Sequence, residues 1–381
     1  MDFELSSEQQ KIRETIIDFA KKELNNNVVE RDRDQHFPHD LWLKCGEFGL
    51  QGLPVDVEYG GSGFDPITTA VALEALGYGS KDAGLNFAIC AHLLACVVPL
   101  WRFGTDQQKK AYLPALCNGQ LVAVNGATEH SGGSDVFSMK TTARKTDTNY
   151  VINGVKIFSS NGPVADIAMI YAMTDPDKGF FGGLSCFVLE RESGFSSGQV
   201  FEKMGLRTCK IGELLVNDVA VDESQRIGKE GAGGIIFNYS MEWERICIAA
   251  CHVGTMRRIL EETISYAKER RQGSGHIGQN QAVSHKLADI KIRLEASRLL
   301  VYQAASKLDR SRSVGLDASM AKVFVSESLV KAAMDCVQTL GGNGYMVEYE
   351  MERTLRDSIA STIYSGTSEI QRNIIAKWLG L

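Results

Sequence analysis

The chain has 381 residues, 44% of them hydrophobic and 23% charged, enough to bury a core in two or three domains and too apolar for disorder, collagen or low complexity. Its 41 basic and 47 acidic residues leave a net charge of -6, and no basic tract could neutralise a run of phosphates, so no nucleic-acid partner is expected. The longest apolar stretch, residues 93–101, is too short for a membrane span and contains Pro99, and Glu4 and Glu8 stand where a signal segment would be basic and then apolar; no membrane and a cytoplasmic location are expected.

Ser6 and Ser7 precede Gln9 and Gln10 at capping-box spacing, and Ile12, Ile16, Phe19 and Leu24 recur at helical intervals, which predicts an opening helix. Helical patterns continue over 41–50, 67–76 and 107–116, separated by turns such as Tyr59-Gly60-Gly61-Ser62-Gly63, so residues 1–120 read as an α-helical domain. From 121 to about 235 the texture changes to short runs rich in β-branched and aromatic residues (150–152, 167–171, 185–189, 214–221) split by Asn-Gly, Asp-Pro and Gly-Gly turns, a barrel-like β domain. Over 236–381 helical patterns return. The clearest, Val283, Leu287, Ile290, Leu294, Ser297, Val301, Ala304 and Leu308, has the alternating four- and three-residue spacing of a bundle seam. The fold class is α+β, and with seven prolines and no segment of linker composition the three regions are expected to pack as one body.

Familiar motifs are mostly excluded. The nine cysteines, scattered from Cys45 to Cys336 without a CxxC pair, read as reduced buried thiols, not as disulfides or a zinc site. Cys247, Cys251 and His252, and the pair His36 and His39, lack four-ligand spacing, so no metal is assigned. Residues 273–278 match GxGxxG but follow a Lys- and Arg-rich helix instead of a strand, and no P-loop sequence exists. Without a GxSxG elbow, Gly132-Gly133-Ser134-Asp135 is the nearest approach to a serine nucleophile. Four small, polar stretches remain at the joins of the regions: 128–135 (TEHSGGSD), 156–162 (KIFSSNG), 338–345 (QTLGGNGY) and 365–369 (SGTSE). Singly each is a turn; together, their glycines admit a large planar or phosphorylated ligand and their hydroxyls can donate to it.

In this order, inside a helix, strand, helix chain of this length, those stretches resemble the flavin-dependent acyl-CoA dehydrogenase family over essentially all 381 residues. The resemblance implies an N-terminal helical domain, a middle β domain and a C-terminal four-helix bundle, with FAD between the last two and reaching a neighbouring subunit of a homotetramer. It assigns Thr128 and Ser134 to the flavin ring and pyrophosphate, Phe158 to the place of a Trp covering the isoalloxazine, and Ser160 to that of a Thr near its redox-active nitrogen. Arg270 and Gln281 would bind FAD across an interface; Gln338, Gly341 and Gly342, with Thr367 and Glu369, would complete the adenine and ribose side. The chain departs from the family pattern at Gly273-Ser274-Gly275-His276 and at His130 and Ser131.

It also departs at the base. Many members carry a Glu where this chain has Ser365, and a hydroxyl does not remove a carbon-bound proton near neutral pH. In the isovaleryl-type and long-chain subgroups the base stands on a C-terminal-domain helix before an Arg, which here selects Glu244 in Met241-Glu242-Trp243-Glu244-Arg245-Ile246, with Glu242 as the fallback. Periodicity alone points the other way: Ile246, Ala249, Val253, Met256 and Leu260 mark the buried stripe, and Glu244 lies about 200° from Ile246. Arg245 and Gly366, the latter through its amide, are assigned to the substrate.

Stretches 240–245, 279–285, 293–300 and 355–368 are similar to one subgroup, the enzymes acting on prolyl groups tethered to carrier proteins. That likeness implies oxidation of an L-prolyl thioester on an acyl or peptidyl carrier protein to a pyrroline or pyrrole, in natural-product or toxin biosynthesis, with O2 or an electron-transfer flavoprotein as acceptor. The alternatives are a short- or branched-chain acyl-CoA dehydrogenase of the isovaleryl type, a flavin monooxygenase on the same fold, and a non-enzymatic helical scaffold.

Overall fold

The computed structural model describes residues 4–147, 149–308, 310 and 313–381. The predicted capping box opens α1 (Ser7–Glu23): the Ser6 hydroxyl accepts from the Gln9 amide, and the Gln9 side chain accepts from the Ser6 amide. After α2 (Val28–Arg33) and α3 (His39–Glu47), α4 (Pro66–Gly79) starts on an Asp65 cap with proline at its first position, where a missing N–H costs nothing. α5 (Ala83–His92) and α6 (Val98–Phe103) join through a π-helical turn, Leu93–Val97. The resulting rod, Ala83–Phe103, has 21 residues and corrects the sequence estimate: it is long and apolar enough to cross a membrane. However, 89% of its most apolar window is buried, so protein already covers that surface. A second capping box, Thr105 with Gln108, opens α7 (Asp106–Cys117).

The middle region contributes β1 (Ala123–Gly126), β2 (Thr142–Lys145), β3 (Asn149–Ser160), β4 (Ile167–Met173), β5 (Leu184–Glu190), β6 (Ser196–Val200), β7 (Ile211–Asp222) and β8 (Arg226–Ile227). Single helical turns, α8 (Phe180–Gly183) and α9 (Arg191–Gly194), flank β5. The strands pair in the order β6-β7-β3-β2-β4-β5-β8, with β1 parallel on β4. Among the described residues this path is open, with β6 and β8 at its ends, where a closed barrel would join them.

α10 (Gly233–Glu269) then runs for 37 residues to a hairpin, β9 (Arg271–Gln272) and β10 (Gly275–His276), that leads into α11 (Gln281–Lys307). The GxGxxG segment is therefore a hairpin between two helices, with Gly273 at φ +61°, and not a strand-to-helix dinucleotide turn. α12 (Gly315–Leu340), the short α13 (Gly342–Tyr345), α14 (Met351–Ile359) and α15 (Ser368–Trp378) complete the chain. All nine cysteines are free and buried.

Two glycines set the position of α10. A Cβ on Gly77 of α4 would lie 1.9 Å from the Cys251 carbonyl oxygen, and one on Gly254 of α10 would lie 1.9 Å from that of Glu74. The two backbones therefore touch where any side chain would hold them apart. One turn away on α4, the Glu74 carboxylate is buried against α11, meeting Arg298 at 2.9 Å and the Tyr302 hydroxyl at 2.8 Å.

Asp357 of α14 is buried and accepts from the Leu206 amide at 2.6 Å, tying the C-terminal helices to the loop after β6. Burial pushes its carboxyl up to about 7, Asp32 adding to the shift against the opposing Leu206 hydrogen bond and Arg353 and Arg356. Because the unfolded group titrates near 4, the folded state holds an extra proton between about pH 4 and 7, so stability falls as pH rises through that window and levels off above it. Asp357→Asn keeps the acceptor and removes the titration. Unfolding free energies from urea titrations at pH 5 and pH 8 are expected to differ for the native chain by roughly 3 kcal/mol more than for the variant; an equal difference would contradict this.

Candidate active site

A cleft of about 440 Å³ opens between the rod Ala83–Phe103, the β region and α10. Its β wall begins at Thr128, whose carbonyl accepts from the Ile157 amide at 2.9 Å. The loop after it is anchored by a buried ion pair, Glu129 with Lys156 at 2.8 Å, and the same carboxylate accepts from Thr141 Oγ1 and the Lys140 and Thr141 amides. Burial alone would raise the Glu129 carboxyl, but the Lys156 ammonium and these donors outweigh it and hold it below the usual range. Ser134 follows on the cleft rim. Farther along β3 the register against β7 shifts between Lys156 and Ser159. This bulge turns Phe158, at φ +51°, out of the sheet: the residue is 63% exposed, lines the cleft and leans its ring on Phe201 at 5.3 Å between centroids. Ser160 lines the same wall two residues on.

The opposite wall is α10, through Phe237, Met241, Glu244 and Arg245, and the turn Ser365-Gly366-Thr367 before α15. Glu244 is only 8% exposed. This corrects the periodicity argument, which placed it off the buried stripe. Around Glu244 that argument fails because α10 is enclosed on more than one side, Ser240, Met241, Trp243 and Cys247 all being buried there. Ser365 Oγ donates to Glu244 Oε1, so the residue at the position where the family resemblance led one to expect a Glu hydrogen-bonds the carboxylate on α10. Burial raises the Glu244 carboxyl, opposed by that hydrogen bond and by the charges of Arg245 and Lys322; the net shift is upward. The fallback Glu242 faces elsewhere: it accepts from Ser313 Oγ at 2.7 Å and the Val314 amide at 3.2 Å, at the start of α12.

Thr128, Ser134, Phe158, Ser160, Glu244, Arg245, Gly366 and Thr367 thus converge on one cleft, with the Thr367 hydroxyl also capping α15. Arg270, Gln281, Gln338, Gly341, Gly342 and Glu369 are exposed and line none of it. Sequence reasoning missed three of its neighbours. Tyr364 stacks on Phe87 at 4.6 Å and hydrogen-bonds His252 at 2.6 Å, burial depressing that imidazole to about 3. Gln371 is fully buried beneath the turn, and Lys322 is 4% exposed. A signal for Lys322 existed: it continues the apolar seam Ala318, Val325 and Leu329 of α12, where a lysine is out of place.

The family models for the acyl-CoA dehydrogenase N-terminal, middle and C-terminal domains match residues 6–120, 125–219 and 231–380. The chain is 44% identical to an L-prolyl-[peptidyl-carrier protein] dehydrogenase of Serratia sp. (strain ATCC 39006), over 100% of this chain and 99% of that one. Among solved structures it is similar to PigA with FAD and proline, at TM-score 0.97 and 43% identity over 100% of both chains. It is similar as well to the prolyl acyl carrier protein oxidase AnaB, at TM-score 0.96 and 44% identity over 99% of this chain and 100% of that one. The chain belongs to the acyl-CoA dehydrogenase family.

Proposed function

We propose that this protein is an FAD-dependent oxidase or dehydrogenase of an L-prolyl thioester carried on the phosphopantetheine arm of an acyl or peptidyl carrier protein, with Glu244 as its base. The observation that carries the reading is the buried Glu244 carboxylate, hydrogen-bonded to Ser365 and facing a cleft walled by Phe158. The cleft suits the cofactor. It offers an exposed aromatic ring as a flat wall, the hydroxyls of Thr128, Ser134 and Ser160 as donors, and at Gly133 a backbone so open that an added Cβ would meet nothing within 4 Å. What bound FAD supplies is a two-electron acceptor for the β-hydrogen, which leaves as hydride. In the same reading Arg270 and Gln281 serve the FAD of a neighbouring subunit in a cytoplasmic homotetramer, and Gln338, Gly341, Gly342 and Glu369 its adenine and ribose side, so none of the six needs to line this cleft.

Glu244 takes the α-proton. The thioester carbonyl accepts the electron pair left behind, and the Gly366 amide stabilises the oxygen that becomes charged. Ser365 holds the carboxylate in one orientation, and burial keeps it basic: a carboxylate with few donors gains more on protonation than one in water. The resulting enamine tautomerises to a pyrroline or is oxidised again to a pyrrole, the product feeding natural-product or toxin biosynthesis.

The purified yellow protein, mixed without oxygen with a prolyl thioester on its carrier and separately with acyl-CoA thioesters, is expected to lose flavin absorbance with the carrier-bound proline only. Bleaching by a branched or short acyl-CoA instead would make it an isovaleryl-type dehydrogenase. Readmitting O2, or adding an electron-transfer flavoprotein, then identifies the acceptor by which one restores the colour.

Glu244→Gln is expected to slow flavin reduction by about 10³-fold or more while leaving the bound flavin spectrum unchanged. Reduction at the native rate would assign the base elsewhere.

The reduction rate is expected to fall with decreasing pH, since only the carboxylate is competent, and its midpoint should lie above the ordinary Glu value of about 4.3. Ser365→Ala removes a hydrogen bond to the charged form and should move that midpoint upward. A midpoint that stays in place would mean the hydroxyl does not act on Glu244.

A further inference from the structure

The turn after Tyr364 is held from behind. The Ser365 carbonyl accepts from Arg245 Nε at 3.0 Å and from Gln371 Nε2 at 3.1 Å, and the next carbonyl, of Gly366, accepts from Lys322 Nζ at 2.8 Å and from Gln371 Nε2 at 2.9 Å. Ser365 and Gly366 both have positive φ, at +55° and +87°, and a Cβ on Gly366 would come within 2.7 Å of Gln371 Nε2, so the conformation is tightly specified. Among the described residues no peptide is cis, so in each of these peptide groups the N–H points opposite to its carbonyl. With both carbonyls turned to these donors, the Gly366 and Thr367 amides point away from them, on the stretch that lines the cleft.

Lys322 does not line that cleft. It borders a small cavity on the far side of Glu244, shared with His252 and Ser326, and among the described residues its ammonium is hydrogen-bonded to the Gly366 carbonyl and to no carboxylate. A buried cation is costly to keep unless its charge is used or compensated. A charged donor on a carbonyl oxygen draws density from the whole amide and makes the N–H of that peptide a stronger donor in turn.

We infer that Lys322 is a positioning residue for the reaction: with Arg245 and Gln371 it fixes and polarises the two successive peptide groups whose amides receive the negative charge on the substrate's thioester oxygen. When the α C–H bond breaks, its proton goes to Glu244 and its electron pair into the carbonyl, and the aligned amides meet that charge without reorganising. The inference rests on the thioester-oxidation reading above.

The test uses holoenzyme carrying Lys322→Met, Lys322→Gln or Lys322→Arg. Anaerobic flavin reduction by the carrier-bound prolyl thioester should slow by about 10- to 100-fold in the Met variant. Half-saturation should change by less than about threefold, because the ground state makes little use of a donor aimed at the charged oxygen. In a Glu244→Gln background, where the thioester is bound and not turned over, the infrared stretch of a ¹³C-labelled carbonyl should move back toward its value in solution, and Lys322→Arg should restore most of both effects. Native reduction rates in the Met variant, or slow reduction with an unshifted carbonyl stretch, would overturn the inference. If the Met variant fails to hold flavin, the Gln variant, which keeps a donor without the charge, decides by the same two readouts. If the native protein is reduced only by an acyl-CoA, the prolyl reading fails while the comparison is repeated with that thioester, since the clamp acts on any thioester carbonyl.

Discussion

Burying the carboxylate of Glu244 is the constraint on which the site depends. A charge taken out of water must find donors or give up its ionisation, and here it finds one hydroxyl, from Ser365, and two cations, Arg245 and Lys322, that are themselves occupied with the backbone of the adjoining turn. The balance leaves the carboxyl above its usual range, which is the direction a base near neutral pH requires. That burial begins at a distance. Because Gly77 and Gly254 let α4 and α10 touch backbone to backbone, α10 sits deep in the molecule, and a side chain off its apolar stripe still ends up covered.

The β region contributes a wall of a different kind. Strand β3 is interrupted by a bulge just where Phe158 must leave the sheet, while two residues earlier Lys156 is fully buried under the Thr128 loop in its pair with Glu129. The ion pair and the bulge act together: one fixes the loop that carries the hydroxyls, the other aims the ring beside it. A buried pair of this sort adds little to stability over an apolar replacement but is severely costly to break on one side, so it holds the loop in one place.

Much of the fold was legible because local signals agree with the global structure. The Ser6 and Gln9 capping box, the seam from Ile290 to Ala304 and the apolar runs of β4 and β5 all formed where their patterns indicated. What failed to show were features that depend on neighbours distant in sequence. The burial of Glu244 depends on how many elements surround α10, and the length of the rod Ala83–Phe103 was hidden because Asn86 and His92 interrupt its apolar run yet are buried within it. Lys322 was readable as a lysine in an apolar seam, but its partner, the Gly366 carbonyl, is distant in sequence and shows only in the folded chain.

The pairing of Glu244 with a serine at 365 also follows from electrostatics. Ser365 Oγ touches Glu244 Oε1, so a glutamate at 365 would bring a second carboxylate into the same buried volume, and two such groups cannot both ionise without one being driven far up. A base on α10 therefore demands a neutral residue at 365. It must also be small enough to share that volume, and a serine is, while donating to the charged form of its partner. In the proposed reading the serine is thus the counterpart of a base carried on α10, while Arg245 on the Ser365 carbonyl and Lys322 on the Gly366 carbonyl hold the turn beside it in place.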